Sequence, residues 1–232
     1  VAYWKILPAE ILEMPKKMCI NVHWSILPKY RWASPIQSSL INWDEKTWVT
    51  IMKMSEWMDE GDILDILEID IDKFETSETL FQKFSKVSWK FLVDTLDKLD
   101  KWLIIPVPQD SSLATYCKKI QKEDGLADFS KSPKELFFLW KWLTPWPWLY
   151  TYFNEKKLII EECDWDSNWE LRIENWEQRV WEVIKTDEKI WITCWDWSML
   201  ILKKVKLEWK KSQDIKDFIN GYKDFIWYKL KK

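Results

Sequence analysis

Glycine is what this chain lacks most: its 232 residues contain 3, where average usage of about 7% would supply roughly 16. So few glycines leave few residues free to take positive φ in tight turns. Tryptophan is over-supplied to match, at 21. The two anomalies offset each other in position as well as in number. Asn42-Trp43 precedes a charged pair where a hairpin wants Asn-Gly. Trp197 follows Asp196 in another turn-like spot, and Trp57 sits in a polar loop. We read most of these tryptophans as glycine codons, UGA translated as Trp where the organism's own code reads Gly.

Other absences exclude whole classes. The four cysteines (Cys19, Cys117, Cys163, Cys194) are far apart and contain no Cys-x-x-Cys, so they read as reduced cytosolic thiols rather than a zinc site or disulfide frame. No apolar run approaches membrane-spanning length and no signal peptide opens the chain, so a cytoplasmic protein is expected. Net charge is -3, which gives no global polyanion-binding signal. The charge is uneven, however: residues 161–190 hold ten acids and four bases, whereas 198–232 hold ten lysines and four acids. The basic end suits a nucleic-acid footprint or a solvated Lys face equally well. The first residues, VAYWKILP, read as the end of a strand entering a loop, so elements upstream are expected to be missing.

Along the chain, Pro8 and Glu10 open a helical turn, Met18 to Val22 is a short apolar segment, and Ser34-Pro35 reads as a helix start. Residues 48–54 and 63–71 are rich in β-formers, and Thr76 caps a helix with Leu80, Phe84, Val87 and Phe91 on one face. That order suits an α/β domain over 1–104. Residues 105–124 read as linker from their Pro and Ser punctuation. A capping box, Ser132 to Glu135, opens the 125–232 region. Short β-like runs follow at 149–153, 157–161, 179–184, 189–194 and 199–205, with a helix from Ser212 stopped at Asn220-Gly221. Strands so short and closely spaced predict a small barrel.

The only histidine, His23, lies two residues after Asn21, and an extended segment points both to one side. An imidazole exchanges protons near neutrality, and an Asn amide can donate to a developing oxyanion. The acidic loop SEWMDEGD adds Asp59 and Asp62, either of which could orient the ring. Asn-x-His is weak by itself, because a lone loop histidine is more often structural.

Taken together, CINVHWSILPKYRWASPIQ, INWDEKTWVTIMKM, WMDEGDIL and TPWPW resemble the methionyl-tRNA formyltransferase family. Substituting Gly at Trp24, Trp32, Trp43, Trp48 and Trp57 restores the family pattern; Trp146 matches a true tryptophan of a Pro-Trp-Pro motif, and Trp148 a glycine. The resemblance implies a Rossmann-like formyltransferase domain, here its second half, joined to a barrel resembling an OB fold. It implies transfer of a formyl group from 10-formyltetrahydrofolate to the α-amino group of methionyl initiator tRNA in bacterial translation initiation, by a monomer without a metal. Asn21, His23 and Asp59 would be the catalytic set, with Trp24 crowding His23 where the family has Gly. Ser25, Ile26, Leu27 and Pro28 would contact folate. Lys203, Lys204, Lys206, Lys210 and Lys211, chosen for their charge density, are candidates for tRNA phosphates. Other folate formyltransferases, acting on purine-ribonucleotide amines or amino sugars, and the hydrolase domain of formyltetrahydrofolate dehydrogenase share the Asn, His and Asp set. A non-catalytic RNA-binding barrel would explain 125–232 alone. A calcium-loop start at Asp164 is disfavoured, because its twelfth position is Asn175 and not Glu.

Overall fold

Residues 6–166, 181–186, 189–194 and 198–230 are described by a computed structural model, and the chain divides into two units between Ile120 and Gln121. The first unit runs α1 (Ala9–Leu12), β1 (Ile20–His23), β2 (Arg31–Trp32), α2 (Pro35–Ile41), β3 (Lys46–Lys53), β4 (Ile63–Asp70), α3 (Ser77–Asp100) and β5 (Tyr116–Cys117). Strands β1, β3 and β4 form an antiparallel sheet in that order, and β2 pairs in parallel with β5. β3 is buried from Val49 to Met52 because its apolar run has cover on both faces. Thr76 caps α3 reciprocally with Thr79. Leu80 and Phe84, four apart on that helix, close a core with Ile36, Leu40, Val49 and Ile69.

The helix start read at Ser34-Pro35 forms, with Ser34 as the N-cap residue and Pro35 first in α2. The Ser34 side chain makes no cap bond; its carbonyl accepts from both N–H and Oγ of Ser38. Residues 105–117 lack periodicity, as their sequence indicates, yet they are pinned to the first unit. Val107 exchanges backbone hydrogen bonds with Ile63, and Arg31 N–H donates to Thr115 O at 2.9 Å.

The second unit has α4 (Pro133–Leu143), β6 (Leu149–Phe153), β7 (Lys156–Asp166), β8 (Val183–Thr186), β9 (Lys189–Thr193), β10 (Met199–Leu207), β11 (Gln213–Asp214) and α5 (Ile215–Gly221). The Ser132–Glu135 capping box forms as read, so the Glu135 carboxylate, bonded by Ser132 N–H and hydroxyl, titrates below its usual range. Sheet order is β6-β7-β10-β9-β8, with β11 on β10. Inward residues of these strands join Leu136 and Phe137 of α4 and Phe218 of α5 in one apolar cluster. The last helix starts later than Ser212, because Asp214 is the residue whose side chain accepts from Lys216 N–H. It runs through Gly221 with no left-handed cap there. The strand reading at the chain start, the Asp196-Trp197 turn, the start of the 179–184 run and the calcium-like loop past Asp166 lie outside the described residues.

Left-handed backbone is concentrated on tryptophan. Trp32, Trp43, Trp102, Trp148, Trp181, Trp209 and Trp227 have φ between 58° and 82°, a region that costs a residue with a Cβ about 1–2 kcal/mol. Trp102 and Trp209 are also 88% and 93% exposed, so packing does not compensate them. Trp24, Trp48 and Trp57 have ordinary φ. Gly61 fills a different need: a Cβ there would stand 1.7 Å from Lys53 O.

Candidate active site

β1 presents Asn21 and His23 two residues apart, opposite Met52 and Thr50 of β3. The His23 ring is buried, and its Nε2 lies 2.9 Å from Tyr30 O. A carbonyl can only accept, so Nε2 carries the proton in this geometry. Nδ1 faces Asp59, with 3.6 Å to Oδ1, outside hydrogen-bond range. Asp59 sits in the β3–β4 loop at φ 60°, and its other oxygen accepts from Trp32 N–H at 2.9 Å. The structure thus brings His23 and Asp59 together. Asn21 shares β1 with His23, and its amide makes no hydrogen bond among the described residues. Asp62 uses its carbonyl to accept from Lys53 N–H.

Trp24 does not crowd the imidazole. It stacks on Phe84 and meets Phe81 edge-on, with its indole N–H on Ser88 Oγ, because adjacent strand residues point to opposite faces.

Of the four residues expected to meet folate, Ile26, Leu27 and Pro28 line a cavity of about 630 Å³ with Tyr30, Asp44, Trp43 and Trp48. Ser25 does not: it is buried, and its hydroxyl donates to Lys29 O to close the turn. Burial first, then the hydrogen bond to Asp44, pushes the Tyr30 phenol up to about 12, so it stays a donor into that wall. Neither His23 nor Asp59 lines the cavity.

Two participants escaped the sequence reading. Arg31 is 1% exposed and its guanidinium reaches Gln109, whose amide in turn holds the Asp59 loop. Gln109 lies in the stretch read as linker; the signal that could have found it is Pro106-Val107-Pro108, which fixes two φ angles just before it.

In the second unit, Lys203, Lys204 and Lys206 lie exposed on β10, and Lys210 and Lys211 on the turn after it. Lys203 is engaged by Asp164 at 2.9 Å, which holds its ammonium above its usual range. Lys204 has Glu162 and Asp214 as cross-strand neighbours. Among the described residues no group of acids, His and Cys could hold a metal, and no helix is long and apolar enough to cross a membrane.

Comparison with known proteins brings in relatives. A family model described as "Formyl transferase" matches residues 1–96, and "Formyl transferase, C-terminal domain" matches 119–223. A methionyl-tRNA formyltransferase of Lachnospira eligens is 40% identical over 221 residues, 95% of this chain and 70% of that protein. Among solved structures, HypX from Aquifex aeolicus in complex with tetrahydrofolic acid superposes with a TM-score of 0.66 at 13% identity, over 89% of this chain and 36% of that one. The methionyl-tRNA formyltransferase from Clostridium thermocellum gives 0.59 at 21%, over 72% and 71%.

Proposed function

The chain belongs to the formyl transferase family, and we propose that it formylates the α-amino group of methionyl initiator tRNA with 10-formyltetrahydrofolate as donor. Kinship to a methionyl-tRNA formyltransferase at 40% identity supports the reaction. The His23 ring, held between Tyr30 O and the Asp59 carboxylate, is the observation that supports its chemistry. The amine attacks the formyl carbon, and the unengaged Asn21 amide donates to the oxyanion that develops. Nδ1 of His23 takes up the amine proton, and Asp59 stabilises the charged ring that results. As the tetrahedral intermediate collapses, the bond from the formyl carbon to N10 breaks and the ring returns the proton to N10, releasing tetrahydrofolate. A cavity of about 630 Å³ is within the range of small-molecule sites. Ile26, Leu27, Pro28 and Tyr30 would hold the folate, their apolar wall suiting its rings and the phenol its polar edges. The test is direct: formyl-methionyl-tRNA formed from charged initiator tRNA and the folate donor, with a nucleotide-linked amino sugar in parallel. Formylation of the sugar alone would refute the assignment.

We read the second unit as an OB-like tRNA-binding domain. Lys206, Lys210 and Lys211, without a described acidic contact, are its strongest phosphate candidates, and Lys203 and Lys204 the weaker ones. Phosphate contacts release counterions, so affinity falls with salt in proportion to phosphates neutralised. Lys210→Ala with Lys211→Ala should flatten that dependence and raise KM for tRNA while sparing folate. Identical slopes would leave only a solvated lysine face.

We also infer that most tryptophans stand where the native protein has glycine, through a different reading of UGA. Seven indoles on left-handed backbone, two of them almost wholly exposed, support glycine at those positions in the native protein. At Trp24, Trp48 and Trp57 only the family pattern supports it. Peptide mass spectrometry of the protein from its own cells decides: tryptophan at Trp102 and Trp209 would end the idea.

A further inference from the structure

One irregular segment holds both partners of the candidate catalytic histidine. Tyr30 carries the carbonyl that receives His23 Nε2, and its own N–H donates to Thr115 Oγ1 at 2.9 Å. Arg31, next in sequence, donates its backbone N–H to Thr115 O. The other partner, Asp59, is held by Gln109: Nε2 of that amide donates to Asp59 O at 2.9 Å and to Gly61 O at 2.7 Å. The Gln109 Oε1 accepts in turn from Arg31 Nη2 at 2.9 Å and Nε at 3.2 Å. The remaining Arg31 nitrogen, Nη1, stands 3.0 Å from a Glu60 carboxylate oxygen as an ion pair, without hydrogen-bond geometry. Residues 59, 60 and 61 are therefore all fastened to one buried guanidinium, two of them through one amide.

Asp59 needs such fastening. Its φ of 60° is left-handed, a conformation that persists in a non-glycine residue only where the surroundings over-determine it. A buried guanidinium likewise needs its donors matched. Glutamine is the side chain that meets both demands, because one end accepts from arginine while the other donates to two carbonyls. Glutamate could accept but would repel the loop; lysine could donate but would repel Arg31.

We propose that Gln109 and Arg31 are positioning residues of the formyl-transfer reaction, setting the Asp59 carboxylate at its distance from His23. This rests on the roles given above to His23 and Asp59. Displacement of a reacting group by about 1 Å can cost on the order of a hundredfold in rate. Gln109→Glu keeps the shape and strengthens the Arg31 contact while losing both donors to the loop. It should lower kcat by about a hundredfold with KM for folate and tRNA within about threefold. Gln109→Ala, which removes both ends, should do the same, and either variant carries the test if the other fails to fold.

The deciding measurement is non-additivity in the full chain. Coupled groups that act as a unit lose far less together than the product of their separate losses. Gln109→Glu added to Asp59→Asn should therefore slow the reaction little beyond Asp59→Asn alone. A Gln109→Glu enzyme with normal kcat, or one whose loss multiplies with that of Asp59→Asn, overturns the positioning role. A normal rate in Asp59→Asn itself would instead bring down the role of Asp59, and the inference with it.

Discussion

In the first unit, buried positions are given to His23, Ser25, Arg31, Ser34, Thr50 and Glu75, while its contiguous apolar cluster consists of Ile36, Leu40, Val49, Ile69, Leu80 and Phe84. In the second, the buried polar residues described are Lys141, Thr144, Thr151 and Thr193, and 22 buried apolar residues form one cluster. A buried polar group costs free energy unless it is hydrogen-bonded, and the first unit meets that cost with the Arg31–Gln109 and His23–Tyr30 contacts. Its interior thus holds polar side chains through specific hydrogen bonds, among them the proposed catalytic His23. The second unit commits its interior to transfer of apolar surface from water, the cheaper route to stability. The two interiors thus divide between polar contacts in the first unit and apolar burial in the second.

The largest effects should come from breaking that division where chemistry sits. His23→Ala should lower kcat by about 10²–10⁴-fold, and Asp59→Asn nearly as much. Thermal midpoints should stay close to wild type, because the site lies at a strand end and a loop. A large fall in midpoint would mean that the first unit uses His23 as core after all. In the second unit the reverse holds. Phe153 is 1% exposed among Phe218, Phe225 and Tyr228, so Phe153→Ala should cost about 3–5 kcal/mol in denaturant unfolding. Folate binding per folded molecule should be unchanged.

Tryptophan sharpens the contrast within each unit. Replacing Trp102 in the first unit or Trp209 in the second with Gly should raise stability by about 1–2 kcal/mol each, through relief of left-handed strain. Trp191, 1% exposed with its indole N–H on Thr186 Oγ1 at 2.7 Å, should lose stability on the same change. If all three behaved alike, backbone strain would not be what separates them.

The smallest effect is the cap of α4. Ser132→Ala should cost about 1 kcal/mol. Glu135 titrates lower in the folded state than unfolded, so its contribution is present above its unfolded-state pKa, near the usual 4.5. That contribution is lost as pH falls through the lower folded value. Glu135→Gln should flatten the acid limb of a stability–pH curve, measured by urea unfolding at several pH values.

Local signals carried much of the architecture. Thr76 with Thr79 and Ser132 with Glu135 specify helix starts because capping needs only residues three apart. Dense β-branched and apolar runs placed β3, β4, β6 and β10 to within about two residues. Ser34-Pro35 marked the start of α2 correctly, whereas Gly221 misled because cap geometry depends on the backbone the rest of the fold imposes. The family motif singled out Asn21, His23 and Asp59 from the sequence. Of the turn-like tryptophans that the glycine deficit pointed to, Trp43 sits on left-handed backbone, Trp57 does not, and Trp197 lies outside the described residues.

Tertiary structure alone decided what holds that site. Gln109 is 50 residues from Asp59 and 78 from Arg31, and no periodicity or spacing rule links residues so distant. Their contact arises when β5 pairs with β2 and Val107 bridges to Ile63. The same pairing sets which oxygen His23 meets on each side. The residue types that can do the chemistry are written in the chain order; the distances at which they do it come from strand pairing between segments the sequence keeps apart.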